Sequence, residues 1–179
     1  MPLNIEIKAR CAEHERIRRL LAARGARFVG EDHQVDTYFR VAHGRLKLRE
    51  GTIEHALIHY HRADAQGPKA SHVTLYTPQP GGSLKALLAQ ALGVLAVVDK
   101  RREIFFIGNV KFHLDRVEHL GAFVEIEAID ADGTLGEEHL RAQCDHYLAL
   151  FDLPAGALVS VSYSDLLLEA STRPDPEAA

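Results

Sequence analysis

Two cysteines, Cys11 and Cys144, are the only thiols in this 179-residue chain. They lie far apart and form no CxxC pair, so neither a disulfide framework nor a zinc knuckle is indicated. The chain has no apolar run of membrane-spanning length and no basic-then-apolar segment at its start. Both absences point to a cytoplasmic protein with no membrane partner. Excess positive charge is missing as well, since 21 Lys and Arg stand against 25 Asp and Glu, a formal net charge of -4. A general nucleic-acid binder needs a basic surface, so no nucleic-acid partner is expected and any anion site must be local. There is no GxxxxGK[ST] loop, GxGxxG turn or GxSxG elbow, which removes the usual marks of P-loop, dinucleotide and serine-hydrolase chemistry.

What the chain does have is charge at every second position of strand-like segments. The clearest are Asn4-Ile5-Glu6-Ile7-Lys8, Arg45-Leu46-Lys47-Leu48-Arg49 and Glu125-Ile126-Glu127. A strand sends alternate side chains to opposite faces, so each segment carries a charged row and an aliphatic row. The pattern recurs at Lys100 and Arg102, and at Lys111, His113 and Asp115, which alternate with Val110, Phe112 and Leu114. Arg62 shares its predicted face with Ile58 and Tyr60. A solvated strand face accounts for any one row. Several cationic rows on an acidic chain point instead to a common anionic target, because like charges on adjacent strands repel unless an anion or carboxylates lie between them.

Glu6, Glu125 and Glu127 sit in otherwise aliphatic strands, where Glu is a poor strand former and is seldom buried unpaired. They read either as a wet face or as a site for a hard cation. Mg²⁺ is commonly held by one or two carboxylates together with phosphate oxygens and waters. Wall cations plus a carboxylate-bound metal suit a polyphosphate. Among the eleven histidines, His59 and His61 alternate on one strand but lack an HExxH spacing and read as structural or exposed.

Glycine, proline and polar turn signals divide the chain into eight strands, near 3-10, 33-41, 45-50, 54-62, 71-77, 97-107, 109-117 and 121-130. Helical patterns fall near 12-24, 84-92 and 135-151, the last preceded by a capping-box pattern of Thr134 and Glu137. Residues 64-69 read as a mobile loop and 171-179 as a disordered tail, leaving one domain over 1-170. The hairpin-like succession predicts an α+β protein, a closed antiparallel eight-stranded barrel with helices outside and charge inside. Leu20, Leu21, Leu87, Leu88, Leu148 and Leu150 are the expected covering residues.

Four blocks, Asn4 to Lys8, Leu46 to Glu50, Lys100 to Arg102 and Gly121 to Glu127, resemble the signature blocks of the CYTH superfamily. That superfamily of triphosphate tunnel enzymes includes class IV adenylyl cyclases, thiamine triphosphatases and inorganic triphosphatases. The resemblance spans roughly residues 3 to 168. Asp36-Thr37-Tyr38-Phe39 and Arg102-Glu103-Ile104-Phe105-Phe106 look most like the class IV cyclase-like bacterial branch. The resemblance implies a triphosphate tunnel with Mg²⁺ or Mn²⁺ as cofactor, held by Glu6, Glu125 and Glu127. It implies phosphate contacts from Lys8, Lys47, Arg49, Arg62, Lys100 and Arg102. Glu6, Lys8, Arg49 and the tunnel acid Asp115 are then the catalytic group.

The implied reaction is ATP to cyclic AMP and pyrophosphate, with hydrolysis of tripolyphosphate, thiamine triphosphate or nucleoside triphosphates as the alternative. Non-catalytic triphosphate binding is a second alternative, and a homodimer is a further implication. Two departures stand out. Asn4 replaces the first glutamate of the family's ExExK motif, and Leu57 to Arg62 lacks the family's frequent lysine-glycine, leaving Arg62 or Lys69 to substitute.

Overall fold

The alternation of charged and aliphatic residues closes the chain into a barrel. The computed structural model describes residues 3-62 and 67-172, apart from the side chain of Arg62. The elements run β1 (Leu3–Arg10), α1 (His14–Ala22), β2 (Arg27–Phe39), β3 (Arg45–Glu50), β4 (His55–Arg62) and β5 (Lys69–Tyr76). They continue α2 (Leu84–Leu92), β6 (Val94–Ile107), β7 (Val110–Val117), β8 (Gly121–Asp130), α3 (Glu137–Leu150) and α4 (Tyr163–Thr172). A 3₁₀ turn at Ala155–Ala157 precedes α4. The strands form a closed barrel in the order β1-β5-β4-β3-β2-β6-β7-β8, every neighbouring pair antiparallel.

The outward aliphatic row is covered where α1 and α3 lie. Ile17 and Leu21, one helical turn apart on α1, are fully buried, as are Leu140 and Cys144 on α3. They pack with Ile5, Ile7 and Ala9 of β1, Phe112 and Leu114 of β7, and Val124, Ile126 and Ala128 of β8. Phe112 meets Tyr147 at 4.7 Å and Phe151 at 5.8 Å between ring centroids. Each such side chain contributes about 1.5–3 kcal/mol on leaving water. Leu20, Leu148 and Leu150 are partly buried against this core, as expected, whereas Leu87 of α2 is 58% exposed and covers little.

Four features differ from the sequence reading. The strand β2 begins six residues earlier than expected, because Gly30 marks a register shift against β6 between Phe28 and Gly30 and does not end the pairing. The helix α4 was not expected. The Thr134 capping box does not form, since the Thr134 hydroxyl donates to Asp132. The Asp130 carboxylate instead accepts from the amides of Gly133, Thr134, Leu135 and Gly136, satisfying the donors that precede α3. Lys69, placed at the end of a loop, opens β5. Residues 64-66 of that loop and 173-179 of the expected tail lie outside the described residues.

A second apolar cluster lies on the inward faces, where Tyr163 at the start of α4 joins Tyr38, Val98, Val117, Phe123 and Val159. The seam that closes the barrel, β1 against β5, is paired only from Leu3 to Glu6. Beyond it the chain end takes over, with an Ala9–Leu158 bridge and the Val159 amide donating to Lys8 O at 2.9 Å. Among the described residues no helix is long and apolar enough to cross a membrane.

Candidate active site

Residues directly opposite one another on paired strands share a face. The register therefore brings the charged rows together inside the barrel. Lys8 faces Glu125 and Glu6 faces Glu127 across β1 and β8; Arg102 faces Asp115 across β6 and β7; Asp36 faces Arg49 across β2 and β3. Lys111 and His113 lie opposite Glu127 and Glu125.

Two carboxylates organise the cations. Asp36, 1% exposed, accepts from Arg49 Nε and Nη2 at 2.9 and 3.0 Å, from Lys47 Nζ at 3.1 Å and from Lys100 Nζ at 2.8 Å. Burial alone would raise the Asp36 pKa, but Arg49, Lys100 and Lys47 hold it well below the ordinary carboxylate value. Burial pushes the Lys100 ammonium down to about 7, with Asp36 opposing and Arg49 and Arg102 assisting. Asp115 is the second organiser. It accepts from Arg102 Nε at 2.7 Å, from Arg102 Nη2 at 2.5 Å and from the Tyr163 hydroxyl at 2.7 Å. The fork-on-carboxylate geometry fixes the guanidinium plane as no single bond would.

Glu125 adjoins this second group. Arg102 Nη2 reaches it at 2.7 Å, Lys8 Nζ at 3.0 Å and His113 Nδ1 at 3.0 Å. Against the rise that burial would cause, Lys8 and Arg102 hold its pKa well down. The Lys8 ammonium also lies 3.7 Å over the Tyr163 ring. Burial lowers the His113 pKa, and its Nε2 is buried without a hydrogen-bond partner.

The Asn4 region is different. Asn4 Nδ2 donates to Glu127 Oε1 at 2.7 Å, while Asn4 Oδ1 is buried with no partner. Glu6 and Glu127 stand directly opposite one another, with Lys69 opposite Glu6 on β5 and Lys111 opposite Glu127 on β7. Two carboxylates beside an orphaned amide oxygen fit a hard divalent cation. Glu125 does not fit that role, because three cationic or potentially cationic side chains already hold it. Among the described residues no three His, Cys, Asp or Glu side chains are grouped to hold a metal.

Of the residues expected from sequence, Lys8, Lys47, Arg49, Lys100, Arg102, Asp115 and Glu125 join the two charge clusters. Glu6 and Glu127 belong to the Asn4 region, and the Arg62 side chain lies outside the described residues. Lys69 does not stand among the cations of the two clusters; its ammonium donates to Val159 O at 3.3 Å and Ser160 O at 2.6 Å. His59 and His61 are exposed on the outer face. Asp36, Tyr163 and Glu54 were missed as site residues. For Asp36 the signal was present, since Asp32, Gln34, Asp36 and Tyr38 alternate as the other rows do. Glu54 precedes β4 and carries no periodic signal.

The depressed carboxylates set an acid limit on stability. Asp36, Asp115 and Glu125 have folded pKa values below their ordinary ones, so their contribution is full above about pH 4 and is lost as pH falls below it. Lys100 acts at the other side. Its folded pKa of about 7 lies below its ordinary value of 10.5, so between those limits the folded state binds fewer protons and stability rises with pH. Urea midpoints measured from pH 3 to 9 should climb steeply out of the acid range and keep rising gently above 7. A flat profile would contradict both assignments.

The CYTH domain profile matches residues 2–150. No curated protein matches the chain. Among solved structures, the PH1012 protein of Pyrococcus horikoshii OT3 is 26% identical, with a TM-score of 0.71 over 91% of this chain and 98% of that one. A conserved hypothetical protein of Pyrococcus furiosus aligns at 18% identity and TM-score 0.69, covering 91% of this chain and 99% of its own. A candidate adenylate cyclase of Vibrio parahaemolyticus aligns at 20% identity and TM-score 0.69, covering 93% and 98%. The last two likenesses show the shared fold.

Proposed function

Since the chain belongs to the CYTH family, we propose that it is a metal-dependent enzyme acting on a triphosphate, with cyclisation of ATP to cyclic AMP and pyrophosphate as its reaction. The observation that carries the reading is the convergence of Lys47, Arg49 and Lys100 on one buried carboxylate inside a closed barrel. Lys47 and Arg49, with Lys100 beside them, place hydrogen-bond donors on the wall of the lumen. Asp36 fixes the positions from which those cations meet phosphate oxygens. Asp115 does the same for Arg102, and Tyr163 for Lys8.

Phosphoryl and nucleotidyl transfers leave the protein mainly positioning and charge stabilisation. In cyclisation the ribose 3′-hydroxyl oxygen attacks the α-phosphorus, loses its proton, and pyrophosphate leaves. Glu6, Glu127 and the Asn4 Oδ1 would hold Mg²⁺ or Mn²⁺, which supplies positive charge to phosphate oxygens when bound. The wall cations orient the chain of phosphates and offset charge that builds on the departing oxygens.

The deciding experiment is ion-exchange analysis of products after incubation with ATP, and separately with tripolyphosphate, in Mg²⁺ or Mn²⁺. Cyclic AMP with pyrophosphate supports the cyclase reading. Orthophosphate release would assign a triphosphatase, and tight binding without product would assign a binder. Metal affinity is separately testable. Asn4→Glu adds a carboxylate beside Glu6 and Glu127, and should tighten Mn²⁺ binding about tenfold by paramagnetic resonance titration. Unchanged affinity would remove the metal from that region.

A further inference from the structure

Among the described residues, Glu54 is the one carboxylate at the site that no strand carries. It follows the turn after β3, and that turn is tied down by Asp32, which is fully buried. Asp32 Oδ1 accepts from the Thr52 amide at 2.7 Å, the Thr52 hydroxyl at 2.9 Å and the Ile53 amide at 2.9 Å. Its Oδ2 accepts from the Glu54 amide at 2.9 Å and from Gln34 Nε2 at 2.8 Å. The turn approaches so closely that a Cβ on Gly51 would come within 2.6 Å of Asp32 Oδ2 and 2.7 Å of Glu54 O. The backbone from 51 to 54 is therefore set by many contacts at once, and it places the Glu54 carboxylate among the wall cations.

There the carboxylate takes donors that a phosphate would otherwise use. Oε2 accepts from Arg49 Nη1 at 2.8 Å and Gln34 Nε2 at 3.0 Å, and Oε1 pairs with Lys111 Nζ. The Glu54 side chain is 23% exposed, against 10% for that of Arg49 and 13% for that of Lys111. Arg49 already spends Nε and Nη2 on Asp36. Its remaining nitrogen, Nη1, is the one that Glu54 covers. The surrounding cations keep Glu54 ionised, since Lys111 and Arg49 hold its pKa far below the ordinary value against the effect of burial.

We infer that Glu54 is a specificity-determining residue of the tunnel, a tethered anion that an incoming polyphosphate must displace from Arg49 and Lys111. The inference rests on the triphosphate reading above. A carboxylate fixed beside its cations competes at high effective concentration. An anion of one or two charges gains little by replacing it, whereas a triphosphate brings enough charge to several cations at once. Glu54 thus weakens binding of short phosphates more than of long ones, and selects for chain length without contacting the substrate favourably.

The test is calorimetric titration of metal-free protein with inorganic tripolyphosphate, pyrophosphate and orthophosphate. Glu54→Gln keeps the side-chain shape and removes the charge. It should tighten pyrophosphate about tenfold and tripolyphosphate by less, eroding the discrimination between them. Glu54→Ala should behave likewise, and acetate at tens of millimolar should weaken anion binding in that variant while leaving the native protein unaffected, a response that loss of a merely structural contact does not produce. Unchanged or weaker binding in both variants, each folded by circular dichroism, overturns the inference. Failure of the native protein to bind tripolyphosphate at all would instead overturn the tunnel reading, and this inference with it.

Discussion

Replacing Asp36 by asparagine is expected to lower the unfolding free energy by about 3–5 kcal/mol, a large part of the 5–15 kcal/mol typical of a domain. The substitution keeps the shape and removes the only charge shared by Lys47, Arg49 and Lys100. All three would then stand close together in a site where Lys100 is 1% exposed and Arg49 8% exposed. Arg49 keeps Glu54 at 2.8 Å, so mutual repulsion and lost solvation fall mainly on Lys47 and Lys100. Urea unfolding at neutral pH measures the loss. Because the missing charge is anionic, sulfate or tripolyphosphate should restore more stability to Asp36→Asn than it adds to the native protein. A cost under about 1 kcal/mol would mean that the three cations are not confined by Asp36.

Arg49→Ala should act on turnover more than on the fold. The variant leaves Asp36 with Lys47 at 3.1 Å and Lys100 at 2.8 Å, so no buried carboxylate is stranded. What disappears is a guanidinium held by two bonds to Asp36 and one to Glu54 before any substrate arrives. Removing one preorganised donor from charge developing at phosphorus typically costs about 10²–10³ in kcat. With product formation from ATP or tripolyphosphate as the assay, kcat should fall by that range while the thermal transition stays cooperative. Lysine at 49 should rescue only part of the loss, since an ammonium cannot reproduce the fork. Retention of native rates would take Arg49 out of the catalytic group.

The charged rows were legible because strand alternation converts directly into facing. Reading Glu6 with Lys8, or Lys47 with Arg49, required only the two-residue period, and barrel closure follows once eight such segments succeed one another by short connections. α2 was placed at 84-92 because Ser83 and Gly93 bracket a stretch rich in Leu and Ala. α4 was not read from the sequence. Its first residue is buried by contacts from distant parts of the chain, Asp115 and Phe123 among them. Asp36 escaped for another reason. Its alternation with Asp32, Gln34 and Tyr38 was visible, but only the register shows three cations from two strands around it. Glu54 was beyond reach, since the position of its carboxylate depends on Asp32, more than twenty residues upstream, gathering the amides of a turn.

The short β1–β5 seam bears on how the chain folds. Leu3 to Glu6 pair with partners some 65 residues later, and Lys8 and Ala9 with Leu158 and Val159, about 150 residues later. Contacts of such separation incur loop-closure entropy before they return any energy. On the ribosome, β1 must wait for β8 and for the stretch after α3 before its edges are covered. Until then its exposed Ile5 and Ile7 form an unpaired edge of the kind that invites association with other chains. The last part of the barrel to be made is thus the part that shields the first.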